Sequence, residues 1–418
     1  MKKIYLDYAA STSLDPRVRR VMEPYFREKF GNPSSIHSFG QEAMAAVDTS
    51  REVIARACGV GFRDVIFTSS ATEASNLALR GIVRSIKYLV SSIKYPRIIT
   101  TAIEHESILA TCRDLENQGV DVVYLPVDKN GVVDLGALKK SLTKSTILVS
   151  VAYANNEIGV IQAIVKIAQI VRNWKLKIEN SESVYPLFHT DSVQAFQYLN
   201  CNLAELGVDL MTISAHKIYG PKGVGALIAR DSGFRIHDSG SRIQSLRENV
   251  RGRFMNHESY FLNPLVTGGG QEFGLRSGTE NVPAIVGFAK AVEIAVAIRE
   301  KESARVAALR DYFLHRLQRI SGCPIINYRA AGRLPNILNI AFPSIPSEEI
   351  VVALDRAGVA VSASSACSMR SLEPSHVLKA IGVTEEVLRS SIRFSFGRPT
   401  TKKDIDEVLR RIRKITTS

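Results

Sequence analysis

The stretch VDLMTISAHKIYGPKGVG, residues 208–225, joins an apolar run of strand character to a turn rich in glycine and proline. The polar end of the run carries Lys217. A lysine at the inner end of a buried strand is costly as an ammonium ion, because burial disfavours the charged form. Neutral lysine is a nucleophilic amine that forms Schiff bases with aldehydes. A lysine that leaves the strand and reaches water is the alternative, and this stretch alone does not decide between the two.

Four other apolar runs also end in polar residues. They cover residues 65–68, 97–101, 146–151 and 185–189, and the polar residues that follow them are 69–73, 104–107, 155–159 and 190–194. Any one of these could be a capped helix or a polar loop. Together they predict repeated strand-to-helix corners, which is typical of an α/β sheet. Ligands of open α/β sheets bind at the carboxyl ends of the strands.

The polar residues at these corners match the groups of a phosphorylated pyridine aldehyde. Small hydroxyl residues at 69–72 open a helical pattern, and unpaired N–H groups at such a helix start bind phosphate. His105 could lie flat on an aromatic ring, and Asp191 could hold a protonated pyridine nitrogen. Asn156 and Gln194 could donate hydrogen bonds to a ring hydroxylate. For His105 alone a structural histidine would be the default, but the whole set argues against that interpretation.

Ten short stretches extend this pattern in collinear order to about Arg398. They are residues 5–11, 31–35, 71–73, 104–105, 155–159, 189–194, 214–217, 276–281, 364–368 and 390–395. With these motifs the chain resembles the pyridoxal-phosphate enzymes of the class V aminotransferase family, and within them the group I cysteine desulfurases. So long an ordered set is very specific.

The resemblance implies the aspartate-aminotransferase-like fold, fold type I. In that fold a large pyridoxal-phosphate-binding domain, here residues 15–276, has a mainly parallel mixed sheet. A smaller α+β domain, residues 1–14 and 277–418, would carry the catalytic cysteine loop. The residues agree with this division, because apolar runs alternate with helical patterns up to Arg276. A long helix pattern then covers residues 282–319, and strand-like runs follow at 338–342, 359–361 and 391–395.

The resemblance also implies a role for each matching residue, with pyridoxal 5'-phosphate as cofactor. Lys217 would form the Schiff base, His105 would stack on the ring and act in catalysis, and Asp191 would pair with the ring nitrogen. The phosphate or its surroundings would be held by Ala71, Thr72, Ser214 and His216. Asn156 and Gln194 would fix the ring oxygen, and Arg393 and Asn156 would bind the substrate. Thr279 would reach the phosphate of a neighbouring subunit, so the active unit would be a homodimer.

Cys367 lies in a run of small and polar residues, 362–371, with neither strand nor helix periodicity. Such a composition indicates a mobile loop. Free cysteines are more often buried small hydrophobes, which suits Cys58 and Cys112 but not Cys367. An exposed thiol close to Arg370 would be partly thiolate, the nucleophilic form. In the family that the chain resembles, this loop swings to deliver sulfur to acceptor proteins.

The expected activity is the conversion of L-cysteine to L-alanine, with the sulfur passing as a persulfide on Cys367 to an acceptor protein. The acceptor would serve iron–sulfur cluster assembly or the thiolation of tRNA or a cofactor. The alternatives are a selenocysteine lyase, a class V aminotransferase, and a non-catalytic module that binds RNA or protein. Lys217, Asp191 and Cys367 together argue against the last two. No residue separates cysteine from selenocysteine as the substrate.

Composition excludes several other classes of protein. The 418 residues are 23% charged and 45% hydrophobic, as in ordinary globular enzymes. No apolar run approaches the length of a membrane span, and the N-terminus lacks the apolar region of a secretory signal. The formal net charge is +13, but without a reading motif it predicts no specific nucleic acid. Five cysteines at scattered positions indicate neither a disulfide framework nor a metal site, so we expect a cytoplasmic protein.

The chain departs from the family pattern at three places. Ala215 and Phe273 stand where relatives usually carry glycine and a basic residue, and the second change predicts an altered subunit contact. An insertion lies between Asp231 and Leu265. Its apolar residues have helical spacing, which predicts an added amphipathic helix. They are Ile243, Leu246, Val250 and Phe254.

Overall fold

The structure is a computed structural model that describes residues 2–89, 95–177, 185–230, 262–320, 325–326, 332–343, 345–363 and 374–416. Cys367 with its loop, Cys323, and residues 231–261 of the insertion lie outside the described residues. The helices are α1 (Pro16–Met22), α2 (Ser38–Cys58), α3 (Ala71–Leu89), α4 (Glu106–Glu116), α5 (Leu135–Ser141), α6 (Ile164–Lys177), α7 (Leu203–Leu206), α8 (Val282–Leu317), α9 (Ser347–Arg356), α10 (His376–Ala380), α11 (Glu385–Arg389) and α12 (Lys402–Thr416).

The strands form one large sheet and two smaller ones. In chain order they are β1 (Ile4–Tyr5), β2 (Val65–Thr68), β3 (Arg97–Thr101), β4 (Asp121–Leu125), β5 (Thr146–Ser150), β6 (Leu187–Asp191), β7 (Leu210–Ser214), β8 (Gly225–Ala229), β9 (Ile325–Ile326), β10 (Ile337–Ala341), β11 (Val359–Ala360), β12 (Ser362–Ala363) and β13 (Ser391–Ser395). The large sheet has seven strands in the order β2-β8-β7-β6-β5-β3-β4. β8 alone runs opposite to the other six strands of this sheet, so the prediction of a mainly parallel mixed sheet is confirmed.

Helices cover both faces of the seven-stranded sheet, which explains why its strands are apolar runs and not alternating ones. Successive residues of a strand face opposite sides. Ile66 and Leu148 accordingly belong to the core on the side of α3 and α4, whereas Phe67 and Val149 belong to the core on the side of α2, α6 and the first half of α8.

The second half of the fold begins where α8 leaves the large sheet. Ile285 of this 36-residue helix packs in the core that contains Phe67 and Val149. Phe313 packs in a separate core with β10 and β13. The order of the four-stranded sheet is β12-β13-β10-β9. β1 pairs in parallel with β11. The helix predicted at 282–319 is therefore confirmed, while the limits of the two domains stay a prediction.

Five parallel strands of the large sheet end at the same edge, because parallel strands share a direction. β2, β3, β5, β6 and β7 present residues 68, 101, 150, 191 and 214 there. Residues 7–15, which we call the N-terminal strap, lie against this edge through hydrogen bonds to His216 and Tyr219. Within the described ranges, none of the helices is both long and apolar enough to cross a lipid bilayer.

Candidate active site

Lys217 lies at the end of a short 3-10 turn, residues 215–217, that follows β7 directly. Its Nζ donates hydrogen bonds to the carbonyl oxygens of Ala9 (2.6 Å) and Ala10 (2.8 Å) in the N-terminal strap. The side chain is half-buried. The amine is thus held against the strap, which argues against the alternative that the lysine simply extends into water.

His105 is the N-cap of α4, immediately beyond the end of β3. Its Nδ1 accepts the backbone N–H of Ser107 at 3.1 Å. The proton of the neutral ring therefore belongs on Nε2. Burial lowers the pKa of His105, so the neutral form prevails at neutral pH. A neutral ring with this tautomer can donate a proton at Nε2, while Nδ1 is the acceptor nitrogen.

Asp191 is the last residue of β6 and is 8% exposed. Its Oδ1 accepts the backbone N–H of Val193 at 2.9 Å. Burial raises the pKa of Asp191, and its interactions with His105, the Val193 N–H and Lys217 oppose the shift. The three residues belong to the same edge of the sheet, because Asp191 ends β6 while His105 and Lys217 follow β3 and β7. A buried carboxylate in this position suits a cationic ring nitrogen.

The start of α3 provides donors for a phosphate group. Ser70, Ala71 and Thr72 open this helix, whose first N–H groups have no partner within the helix. Gly225 of β8 lies directly behind it, since a Cβ there would lie 2.7 Å from the carbonyl carbon of Ser70 and 2.8 Å from the nitrogen of Ala71. Only glycine allows this close approach of the two backbones.

His216 and Ser214 border the same region. Burial, with smaller contributions from Lys217 and Lys222, lowers the pKa of His216 to about 4. Its ring is therefore neutral at neutral pH. Its Nδ1 is buried and makes no hydrogen bond within the described chain, as expected for an atom that serves a ligand. Ser214, also buried, precedes the turn in extended conformation.

Gln194 and Asn156 approach the site from two loops. Gln194 Nε2 donates to the Ala9 carbonyl at 3.0 Å, which is the same oxygen that Lys217 contacts. The neighbouring Asn155 folds the other loop, because its Oδ1 accepts the N–H groups of Glu157 and Ile158. This turn fixes the backbone at Asn156, whose side chain is half-buried.

Arg393 lies on β13, in the smaller sheet, and its side chain is 4% exposed. Its Nη2 donates to Asp7 Oδ1 at 2.8 Å, and its Nη1 donates to the Asn156 carbonyl at 2.9 Å. Its Nε is buried and has no partner within the described residues. The guanidinium is thus fixed by the strap and by the Asn156 loop, and its remaining N–H donors suit an anion such as a carboxylate.

Thr279 and Phe273 belong to the segment that precedes α8. Thr279 is exposed among the residues that the structure describes. The preceding Arg276 donates from Nε to Glu73 Oε1 at 2.9 Å and ties this segment to the start of α3. The Phe273 ring lies 4.9 Å from the Arg51 guanidinium, so this aromatic side chain packs within its own subunit. Whether its presence alters a subunit contact stays a prediction.

Sequence reasoning gave no role to several residues that support the site. Glu104 accepts hydrogen bonds from Thr101 Oγ1 (2.7 Å) and from the Ala152 N–H (2.9 Å), and thereby joins the ends of β3 and β5 beside His105. His376 donates from Nε2 to the Glu104 carbonyl at 2.9 Å. The Ala152 and His376 contacts join residues 48 and 272 positions apart, so no local pattern in the sequence could reveal them.

Comparison with known proteins agrees with this geometry. The family described as Aminotransferase class-V matches residues 4–408. The cysteine desulfurase IscS of Dictyoglomus turgidum is 43% identical over 414 residues, which are 98% of this chain and 94% of that protein. A solved structure of a NifS-like protein is 34% identical with a TM-score of 0.83 and covers 99% of both chains. Another, from Rickettsia africae, is 32% identical with a TM-score of 0.80 and covers 100% of both chains.

The chain therefore belongs to the class V aminotransferase family, whose members have the fold type I architecture described above. Within that family its relatives place it among the cysteine desulfurases. Enzymes of this family depend on pyridoxal phosphate. The described residues fit that group: a buried carboxylate, a neutral histidine, an amine and a helix start meet at one edge of the sheet.

Proposed function

We propose that the protein is a homodimeric, cytoplasmic cysteine desulfurase that converts L-cysteine to L-alanine and carries the sulfur as a persulfide on Cys367. The observation that supports this most is the meeting of Lys217, His105 and Asp191 at the carboxyl edge of the large sheet. Lys217 would hold pyridoxal 5'-phosphate, with its phosphate at Ala71, Thr72, Ser214 and His216 and its ring among His105, Asp191, Asn156 and Gln194. When bound, this group supplies an electron sink for the substrate carbons.

The residues of the chain would divide the remaining work. Arg393, with Asn156 beside it, binds the substrate carboxylate through a donor that has no partner within the described chain. Lys217 moves a proton at the substrate Cα, because its amine is a base once substrate displaces it. His105 would handle the proton of the substrate thiol, and its own ring proton lies on Nε2. The sheet edge keeps these groups in place before substrate arrives.

Sulfur transfer would use Cys367. Its thiolate attacks the substrate sulfur, the Cβ–S bond breaks with its electron pair going to carbon, and a proton completes the methyl group of alanine. The three cysteines among the described residues are all buried. Burial raises the pKa of Cys112 to about 12 and that of Cys201 to about 12, and it also raises the pKa of Cys58. None of them supplies a thiolate at neutral pH.

The homodimer is supported by an exposed apolar patch on the segment before and at the start of α2. Phe26, Phe30, Ile36 and Phe39 are all exposed, Ile36 to 92%. The rings of Phe30 and Phe39 lie 5.8 Å apart, and neighbouring exposed apolar side chains of this size often mark an interface. Thr279 is exposed as well, which agrees with a role at the phosphate of a second copy. The acceptor would be a protein of iron–sulfur cluster assembly or of tRNA or cofactor thiolation.

The experiment that tests this function follows alanine and sulfide from L-cysteine with the purified protein and pyridoxal phosphate. Cys367→Ser should lose nearly all turnover while still taking up the cofactor, because only the sulfur transfer fails. Cys112→Ala, a buried cysteine, should keep turnover close to wild type. Borohydride reduction should fix the pyridoxyl group on Lys217, in Cys367→Ser as in wild type. Near-normal turnover by Cys367→Ser, or a label on another lysine such as the exposed Lys222, would contradict the proposal.

A further inference from the structure

One hydroxyl group makes two of the hydrogen bonds that join the lysine turn to the N-terminal strap. Thr12 Oγ1 accepts the Tyr219 N–H at 2.8 Å and donates to the His216 carbonyl at 2.9 Å. The Thr12 N–H donates to the same carbonyl at 3.1 Å. The His216 carbonyl belongs to the peptide bond that precedes Lys217, and the Tyr219 N–H lies two residues after it. Thr12 therefore holds the backbone on both sides of the lysine.

The turn needs such a restraint because its backbone is strained. Tyr219 has a φ of 69°, and it is one of three non-glycine residues with positive φ in the described chain. Non-glycine residues occupy this region only where their surroundings determine it, and such residues cluster at functional sites. The Tyr219 carbonyl accepts the Asp15 N–H at 3.0 Å, so the strap contacts both peptide groups of this residue.

The side chain of Tyr219 is restrained as well. Its hydroxyl accepts the Arg398 N–H at 2.6 Å, and its ring lies 4.1 Å from the Arg398 guanidinium. Arg398 follows β13, the strand that carries Arg393. The strained residue thus connects the lysine turn with the segment after the strand that would hold the substrate carboxylate.

The strap also contacts the head of the lysine. Ala9 and Ala10 accept the hydrogen bonds of Lys217 Nζ, and they lie three and two residues before Thr12, respectively. One short segment therefore sets the position of the lysine backbone through Thr12 and the position of its amine through two carbonyls. A shift of the strap would move both together.

We propose that Thr12 is a positioning residue for Lys217, which acts by clamping the peptide groups on either side of it. This inference rests on the proposed function in one respect, namely that Lys217 is the residue that binds the cofactor and moves the proton. This role of Thr12 works through the backbone at His216 and Tyr219 and needs no contact with substrate or cofactor. Its effect is to fix the position of the Lys217 amine, and displacements of about 1 Å can lower a rate a hundredfold.

Two substitutions separate the clamp from general stability. Thr12→Val keeps the shape of the side chain and removes the hydroxyl, whereas Thr12→Ser keeps the hydroxyl. Thr146→Val is the matched control, because the Thr146 hydroxyl also accepts a backbone N–H, that of Thr143 at 2.9 Å, at the opposite end of β5. All three variants are compared with wild type for thermal unfolding, so that a variant that does not fold is recognised, and Thr12→Ala then replaces Thr12→Val.

The first readout is hydrogen–deuterium exchange in peptides that cover residues 217–220, in protein without added cofactor. Thr12→Val should exchange about tenfold faster there, as expected for the loss of one hydrogen bond, and Thr12→Ser should match wild type. The second readout is the dissociation constant for pyridoxal phosphate, which should rise at least about tenfold in Thr12→Val. In turnover of L-cysteine, kcat should fall about tenfold or more while KM changes little. Thr146→Val should change none of these values.

The outcomes distinguish the clamp from the proposed function. If wild type turns over cysteine and Thr12→Val has the same kcat and cofactor affinity, the clamp proposal is wrong although the function stands. If Thr12→Ser is as impaired as Thr12→Val, the hydroxyl is not responsible and the proposal is equally wrong. If wild type makes no alanine, the proposed function fails, but exchange at residues 217–220 and cofactor affinity still support or overturn the clamp.

Discussion

At the scale of single residues, the support of the site depends on side chains whose burial alters their protonation. Glu104 is the clearest case, because burial raises its pKa to about 8 although two donors, Thr101 and Ala152, oppose the shift. The protonated carboxyl group is thus the form that the folded protein favours at neutral pH. The same residue precedes His105, so its protonation state bears on the position of the His105 ring.

We expect Glu104→Gln to reduce the pH dependence of stability, since glutamine resembles the protonated acid. Below about pH 4.5 the wild-type side chain is protonated in both the folded and the unfolded chain, and its stabilisation is fully present. As the pH rises from there to about 8, only the unfolded chain releases the proton, so the free energy of unfolding decreases.

Urea unfolding of both proteins at about pH 5 and about pH 8 measures this effect. The free energy of unfolding of the variant should increase relative to that of wild type as the pH rises. The contributions of other titrating groups cancel in this difference. A difference between the two proteins that is the same at both pH values would contradict a raised pKa for Glu104.

The sequence predicted the residues of the site better than it predicted their supports. Lys217, His105 and Asp191 each follow or end an apolar run, and the parallel sheet brings such positions to one edge. Their catalytic roles stay predictions. Asp7 belongs to the motif at residues 5–11 and Thr12 follows it directly, yet their partners Arg393 and His216 are 386 and 204 residues away. Hydrogen bonds over such separations depend on the completed fold and leave no local pattern.

At the scale of elements, the sequence predicted several strands of the large sheet but not all of their limits. β2 and β3 have the predicted bounds, whereas the run predicted at 185–189 became β6, Leu187–Asp191. Pro186 has no N–H for the ladder, so the strand starts after it. It continues through polar residues because these have partners: His189 bonds to Ser150 at 2.9 Å and Thr190 to the Val151 carbonyl at 2.8 Å. A prediction from hydropathy alone therefore ends such a strand too early.

The turn before α8 depends on a buried ion pair. Glu272 and Phe273 have φ values of 49° and 59°. Glu272 accepts two hydrogen bonds from Arg51, at 2.7 and 2.8 Å, and one from the Phe67 N–H at 2.8 Å. Both charged side chains are at most 5% exposed. These bonds hold two strained residues in place a few positions before Thr279.

Glu272→Ala should lower the free energy of unfolding by about 3–5 kcal/mol, because it leaves the Arg51 charge buried without a partner. Chemical unfolding of the purified variant measures the loss. Glu385→Ala is the control, since its ion pair with Arg389 is exposed and should contribute less than about 0.5 kcal/mol. Equal effects of the two substitutions would show that the buried pair is not what holds the turn.

At the scale of the whole molecule, the proposed dimer makes a prediction about the exposed apolar patch. The rings of Phe30 and Phe39 lie 5.8 Å apart and are 68% and 51% exposed. A double variant, Phe30→Ser with Phe39→Ser, should raise the dimer dissociation constant at least about tenfold, as expected when buried aromatic anchors are removed.

Sedimentation equilibrium measures that constant. Tyr95→Ser is the control, because Tyr95 is 70% exposed and lies outside the patch. A double variant that dimerises as tightly as wild type, or a wild type that is monomeric at every concentration, would contradict an interface at this patch.

The N-terminal strap has a consequence for the order in which a ribosome can complete this enzyme. β1 pairs with β11, and Asp7 pairs with Arg393, so the first residues to be synthesised find their partners among the last. The seven strands of the large sheet end at Ala229, so that sheet can assemble while the chain is still growing. Lys217 obtains its carbonyl partners only when the opening segment docks. Catalytic competence therefore comes after translation of β13, and nascent chains pass through a stage with a formed sheet and an unfinished site.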